Sequence, residues 1–428
     1  MPLIGKANKF CFNNFRNKYT SYYLNFMGLR NEFTNFLLKI LKSMHVTLKT
    51  YYSFCILCFS AINIFTQKHQ VSLENQVSSW ATLRITNPLV YQLGGRYIPS
   101  LTGSLKFKEN SKLDAEVAIN MFIAPFFNGS NHTKTDADIK PYRLWLRYSS
   151  TRLEIRAGLQ KINFGTAYIL RPLMWFDSVD PRDPLQLTDG VYALLGRYYF
   201  QNNANLWVWG LYGNTSTKGW ETTSTEKDKP EFGGRLQLPV LTGETGISYN
   251  FRHANYDSQN NDTSITEPVR IIENKFGLDS KFDAEIGIWY ELVIVHNSTD
   301  KYYLKTWNDY INIGIDYTYN LGNGLNMSVE FFRINATNVL FRAENNLHFT
   351  AVSMNYPIDI INRISLILFM NHEDFSLYNF LSWQQTYDYL TFWIMAYHNP
   401  ENYSLYNLNT EQLLYAGTGL QIMAALNF

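Results

Sequence analysis

Apolar and polar residues alternate along this chain with a period of two, in one segment after another. Leu113, Ala115, Val117, Ile119, Met121 and Ile123 alternate with Lys112, Asp114, Glu116, Ala118, Asn120 and Phe122. Leu144, Leu146 and Tyr148 alternate with Arg143, Trp145 and Arg147, and Leu153, Ile155, Ala157 and Leu159 with Arg152, Glu154, Arg156 and Gln160. Further on, Ile286 to Ile294 alternate with Glu285, Gly287, Trp289, Glu291 and Val293, and Ile311 to Tyr317 with Asn312, Gly314, Asp316 and Thr318. Successive side chains of a strand point to opposite faces, so this period predicts strands with one apolar face. Roughly 18 such segments follow residue 78; the first and the one near residue 275 carry the pattern weakly.

Periodicity alone does not separate a soluble sandwich, apolar inside, from a membrane barrel, apolar outside. The connections do. Short linkers at 108–112, 149–151, 201–205, 241–244, 280–283, 320–324, 355–362 and 387–389 take turns with longer ones. The longer ones fall near 125–141, 164–189, 214–230, 254–271, 297–306, 335–345 and 399–412; only the link at 371–375 breaks the rhythm. Short turns on one side and long loops on the other mark a transmembrane barrel, whereas a sandwich has no reason to sort its loops. The expected fold is therefore all-β: a transmembrane antiparallel barrel of about 16–18 strands, with one long loop folded inward.

Composition adds a leader. Residues 1–67 hold eight Lys or Arg against the single acid Glu32, leaving 29 basic and 35 acidic residues over 68–428. Lys39, Lys42 and Lys49 precede the apolar run Tyr51–Phe65, too short for a membrane helix but suited to a signal-peptide core. The expected organisation is a signal peptide at 44–67 and a barrel at 68–428. Residues 1–43 then read either as an over-extended reading frame before Met44 or as a genuine extension. All three cysteines, Cys11, Cys55 and Cys58, fall in the leader, which suits export through an oxidising compartment. The 30 Tyr, 29 Phe and 10 Trp suit a bilayer interface, and the mildly acidic body excludes a nucleic-acid footprint.

The C-terminal segment is the most specific. Ala416, Thr418, Leu420, Ile422, Ala424, Leu426 and Phe428 alternate with Gly417, Gly419, Gln421, Met423, Ala425 and Asn427, ending on an aromatic residue. This resembles the closing strand of bacterial outer-membrane barrels. The resemblance implies that Phe428 serves as an insertion signal read by the barrel-insertion machinery, and that the mature chain lies in outer-membrane lipid.

If apolar residues face lipid, the complementary set faces the bore. Arg143, Arg147, Arg152, Arg156, Arg197, Arg235 and Arg252 then form a basic arc, with Glu285, Glu291, Asp316 and Glu330 as an acidic one. Residues 163–190 form a long link that is not simply polar: Leu170, Leu173, Met174, Trp175 and Phe176 precede Asp177, Asp180, Asp183 and Asp189, with Arg171 and Arg182 among them. So apolar a loop is expected to fold into the barrel, its acids meeting the arginine arc. The segment resembles the constriction loop of porins, an architectural likeness over about residues 70–428 without a subfamily motif. It implies a passive channel for small hydrophilic solutes, without cofactor or metal, and leaves monomer and homotrimer open.

Two other readings stay open. The bore charges can pair with one another and with Glu116 and Glu154, giving a plugged structural or adhesion barrel that binds partners through its long loops. Alternatively, Ser376 and His372 can serve an outer-membrane hydrolase. The histidines of the body, His69, His132, His253, His296, His348, His372 and His398, lack ligand spacing, and no phosphate loop or serine elbow is found.

Overall fold

The computed structural model describes residues 69–256, 269–298, 305–401 and 415–428. The expected leader, residues 1–67, lies outside them, as do parts of the long links at 254–271, 297–306 and 399–412. The wall begins with β1 (His69–Arg84), β2 (Val90–Lys108), β3 (Ser111–Asn128), β4 (Asn131–Ser149), β5 (Leu153–Gln160), β6 (Val191–Tyr199) and β7 (Asn205–Leu211). A two-residue strand, β8 (Ser224–Thr225), lies within the next link and pairs with Ala254 and Asn255. The wall resumes with β9 (Glu231–Val240), β10 (Gly243–Tyr256), β11 (Val269–Asp283), β12 (Gly287–Ser298), β13 (Trp307–Tyr319) and β14 (Leu325–Thr337). It ends with β15 (Asn345–Pro357), β16 (Asn362–Asn371), β17 (Leu377–Thr386), β18 (Leu390–Asn399) and β19 (Gly417–Asn427).

Each wall strand pairs antiparallel with its sequence neighbours, β7 passing directly to β9, so β8 is an accessory and the wall has 18 strands. β1 closes the ring by pairing with β19 as well as β2: Trp80 stands opposite Gly94 on one side and Met423 on the other. At the seam's end Asn75 N–H donates to the Phe428 carbonyl at 2.7 Å, and Phe428 N–H returns the bond at 3.0 Å. Every described wall strand thus has a strand neighbour on each side, as a lipid environment demands.

The alternation has the inverted sense. Leu146, Ile155, Leu194, Ile288, Ile313, Leu381 and Ile422 are exposed on the outer surface, while Asp114, Arg143, Glu291, Asn312 and Gln421 point inward and are buried. So large an apolar exterior is one that lipid covers. β11, faint in the sequence, is a full strand of 15 residues. Its inward row runs from Val269 and Ile271 to Glu273, Lys275 and Asp279, all buried, so apolar and polar residues share one face and the pattern blurs.

One expected long link is corrected. At 125–141, β3 and β4 remain paired up to Asn128 opposite Asn131 and turn at Gly129, whose φ of 60° suits glycine. Tyr91 stacks on Phe127 at 4.8 Å across this extension. Residues 131–138 read as a loop because both faces of β4 are polar there, so no apolar alternation marks the strand.

Candidate pore and its inward loop

Between β5 and β6 the chain leaves the wall at residue 161 and returns at 190, and the intervening loop lies inside the barrel. Its apolar residues explain this. Ile162, Phe164, Leu173, Trp175 and Phe176 pack on Val191 and Leu195 of β6, Trp209 and Leu211 of β7, and Val293 and Val295 of β12. Ile169 and Leu170 pack on a second inward apolar patch formed by Phe332, Phe349, Phe369, Phe380 and Tyr397. The loop thus bridges the interior from β6 and β7 to the far wall. Burying each large side chain contributes about 1.5–3 kcal/mol relative to leaving it in water.

Two wall carboxylates then fix the backbone. Glu291 of β12 accepts the N–H of Thr166 at 2.5 Å, Ala167 at 2.8 Å and Leu173 at 3.1 Å. Glu330 of β14 accepts those of Tyr168 at 2.8 Å, Ile169 at 3.0 Å and Leu170 at 2.7 Å. A loop with no ladder partners must satisfy its amides somehow, and bonds to a carboxylate are the stronger kind. Gly165, at a φ of 101°, makes the approach: a Cβ there would stand 2.5 Å from Glu291 Oε1. Arg171 braces the loop from within, donating to Asp177 at 3.2 Å and to the Asn163 side chain.

These contacts change the expected roles of Glu291 and Glu330. Both point inward, but both are fully buried as loop anchors and neither presents a free charge to the bore. The basic arc is also largely engaged. Arg147 binds Asp114 at 2.9 Å, Arg156 binds Glu154 at 2.9 Å, and Arg197 lies 3.6 Å from Glu154 and over the Trp207 ring. Arg235 makes a buried two-point pair with Asp279 at 2.5 and 2.8 Å. Arg252 is enclosed by Glu273, Glu221, Thr223 and Thr225. Arg143 donates to the Thr188 carbonyl of the loop at 3.1 Å. Of the expected acidic partners, Glu154 takes part, whereas Glu116 accepts from Ser100 at 3.1 Å. Arg152 and Glu285 are corrected in position: both are exposed in short turns, Arg152 immediately before β5 and Glu285 between β11 and β12. Asp316 remains on the inward face of β13, half-buried.

What the loop leaves open is a cavity of about 950 Å³ against β1–β4 and β19. Its wall side includes Arg96, Asp136, Asp138 and Lys140, and its loop side Asp177, Asp180, Asp183 and Asp189. Lys140 pairs with Asp189 at 2.5 Å and Arg182 with Asp180 at 2.5 Å. Burial pushes the Asp177 carboxyl above the usual range, with Arg171 opposing; burial raises Asp183 likewise, against the amides of Leu185 and Leu187. Arg96 was missed in the sequence because Gly94, Gly95 and Pro99 interrupt β2. The signal was there: Gln92 and Arg96 share the parity opposite Leu93 and Tyr97.

The hydrolase candidates do not meet in a hydrogen bond. His372 Nε2 lies 2.8 Å from Thr350 Oγ1, while Ser376 N–H is held by Asp374 at 3.0 Å.

No family model and no curated protein matches this chain. Its structural neighbours are outer-membrane porins and channels with large closed barrels. An anion-selective porin from Comamonas acidovorans is 9% identical over 84% of this chain and 100% of its own, with a TM-score of 0.44. The outer membrane protein OmpT of Vibrio cholerae, in its trimer form, is 10% identical over 85% of this chain and 100% of its own, at 0.46. The outer membrane channel DcaP of Acinetobacter baumannii is 11% identical over 85% and 99%, at 0.44. Likeness at this level does not extend to solute, activity or assembly.

Proposed function

We propose that this chain is a passive channel of the bacterial outer membrane, admitting small hydrophilic solutes past an inward loop. The observation that carries this reading is the space left beside the loop: a charged cavity of about 950 Å³, large enough for a small solute, inside a barrel with an apolar exterior. A barrel evolved only as a rigid anchor has no need of such a space. The loop acids and the opposing Arg96 set a transverse field that orients dipolar solutes. No covalent chemistry is required.

The same reading includes export by the leader, insertion through recognition of Phe428, and assembly as a monomer or homotrimer. The second reading, a plugged structural barrel, draws on one specific observation: Arg147, Arg156, Arg235 and Arg252 are spent on interior ion pairs. Vesicles reconstituted with the full chain separate the two. A channel admits sugars up to a size limit and excludes larger ones; a plugged barrel admits none.

A further inference from the structure

We propose that the cavity beside the inward loop is a binding seat for small zwitterions, the anionic end at Arg96 and the cationic end at Asp183 and Asp138. This rests on the channel reading and names the solute class of that same site.

The charges lining the cavity are not equivalent. Asp136 is paired with Lys134 at 2.6 Å, Lys140 with Asp189 at 2.5 Å, and Lys218 with Glu231 at 3.5 Å. Asp177 is paired with Arg171 at 3.2 Å and Asp180 with Arg182 at 2.5 Å. Three lining charges, Arg96, Asp138 and Asp183, have no ion-pair partner among the described residues. The cavity therefore offers one cation and two carboxylates that are not spent on a direct ion pair, with Arg96 near enough to Asp183 to act on its charge.

Arg96 is held for use. Its guanidinium sits 5.3 Å from the centre of the Trp80 ring and 5.5 Å from that of Phe122, so two aromatic faces fix its plane. It makes no hydrogen bond to the described residues, and its Nε is buried without a partner. A guanidinium presents five donors in a fixed fork that matches a carboxylate or phosphate, and a buried donor left idle is costly. On the loop, Asp183 is oriented by the N–H groups of Leu185 at 3.0 Å and Leu187 at 3.1 Å, which brace the carboxylate without neutralising it. Asp138 accepts only the adjoining Ile139 N–H, at 2.9 Å.

A simple anion reaching Arg96 meets the loop acids, and a simple cation reaching Asp183 meets Arg96. A solute carrying both charges satisfies both. Binding of this kind must be weak enough for release if it is to speed passage.

Swelling of vesicles holding the full chain tests this with four probes at low concentration: γ-aminobutyrate, erythritol, lactate and choline. γ-Aminobutyrate is expected to enter up to roughly tenfold faster than erythritol, the value of about one charge-assisted contact. Arg96→Gln, and separately Asp138→Asn with Asp183→Asn, are expected to lower that ratio. In the unaltered chain, γ-aminobutyrate no faster than erythritol, or slower than lactate or choline, overturns the seat while the channel stands. A chain that admits no probe at all overturns the channel and the seat together.

Discussion

Glu330 on β14 accepts the backbone N–H of Leu170 at 2.7 Å, joining the far wall of the barrel to the middle of a loop that started on β5. With Glu291 it gathers six such amides, so the position of the loop depends on two side chains. The width of the bore follows from them.

Replacing Glu291 and Glu330 together by Ala leaves those amides without acceptors inside the barrel. The loop is expected to loosen, since hydrogen bonds to charged groups contribute about 1.5–3 kcal/mol each. Trypsin added to intact vesicles reports this as new cleavage after Arg182, which is buried in the unaltered chain. Continued resistance would show that apolar packing alone holds the loop.

Gly165→Ala attacks the same contact from the loop side. The new Cβ would meet Glu291 Oε1 at 2.5 Å and Leu173 Cβ at 3.0 Å, at a φ that alanine rarely adopts. The variant should fold as a barrel, keep its β-sheet circular dichroism and show the same protease sensitivity. Gly95→Ala, where nothing lies within 4 Å, serves as the silent control.

Arg235→Leu strands the Asp279 carboxylate in the interior. Breaking a buried pair is expected to cost about 3–5 kcal/mol, read as a lower urea midpoint for unfolding from lipid vesicles. Adding Asp279→Leu should restore most of the loss, because both charges are then gone. A single variant as stable as the original would mean that water reaches Asp279 freely.

Acid should change ion preference. Burial raises the carboxyls of Asp177 and Asp183, so their negative charge is present above a pKa higher than that of a free aspartate and is lost as pH falls through it. Reversal potentials measured as pH falls from neutral should therefore drift toward anion preference before ordinary carboxylates titrate. Asp177→Asn with Asp183→Asn should flatten that early drift; an unchanged drift would assign it to other acids.

The wall was legible in the sequence because lipid imposes a strict rule on one face: the outward rows of β3, β5, β12, β13 and β19 carry their apolar residues without exception where the belt lies. The inward rows obey no such rule. Trp289, Val293, Phe332 and Phe380 face the interior because the loop covers them, and in the sequence they look like any other apolar residue. The inward loop itself could be read from Leu170, Leu173, Trp175 and Phe176, which no exposed link would carry. Its anchors could not. Glu291 and Glu330 looked like bore charges, since parity gives the face of a residue but not its partner. The partners of the arginine arc were hidden for the same reason: Asp114 and Glu273 stand on strands next to Arg147 and Arg252, Asp279 stands two strands from Arg235 across Gly246 of β10, and only register brings each pair together.

Single-channel recording of the full chain in a planar bilayer tests the central claim most directly. Discrete open steps are expected, with a conductance that rises when Glu291 and Glu330 are replaced together and the loop leaves the bore. A folded, inserted barrel that never opens, with or without those two carboxylates, would contradict a channel and leave the plugged structural barrel in its place.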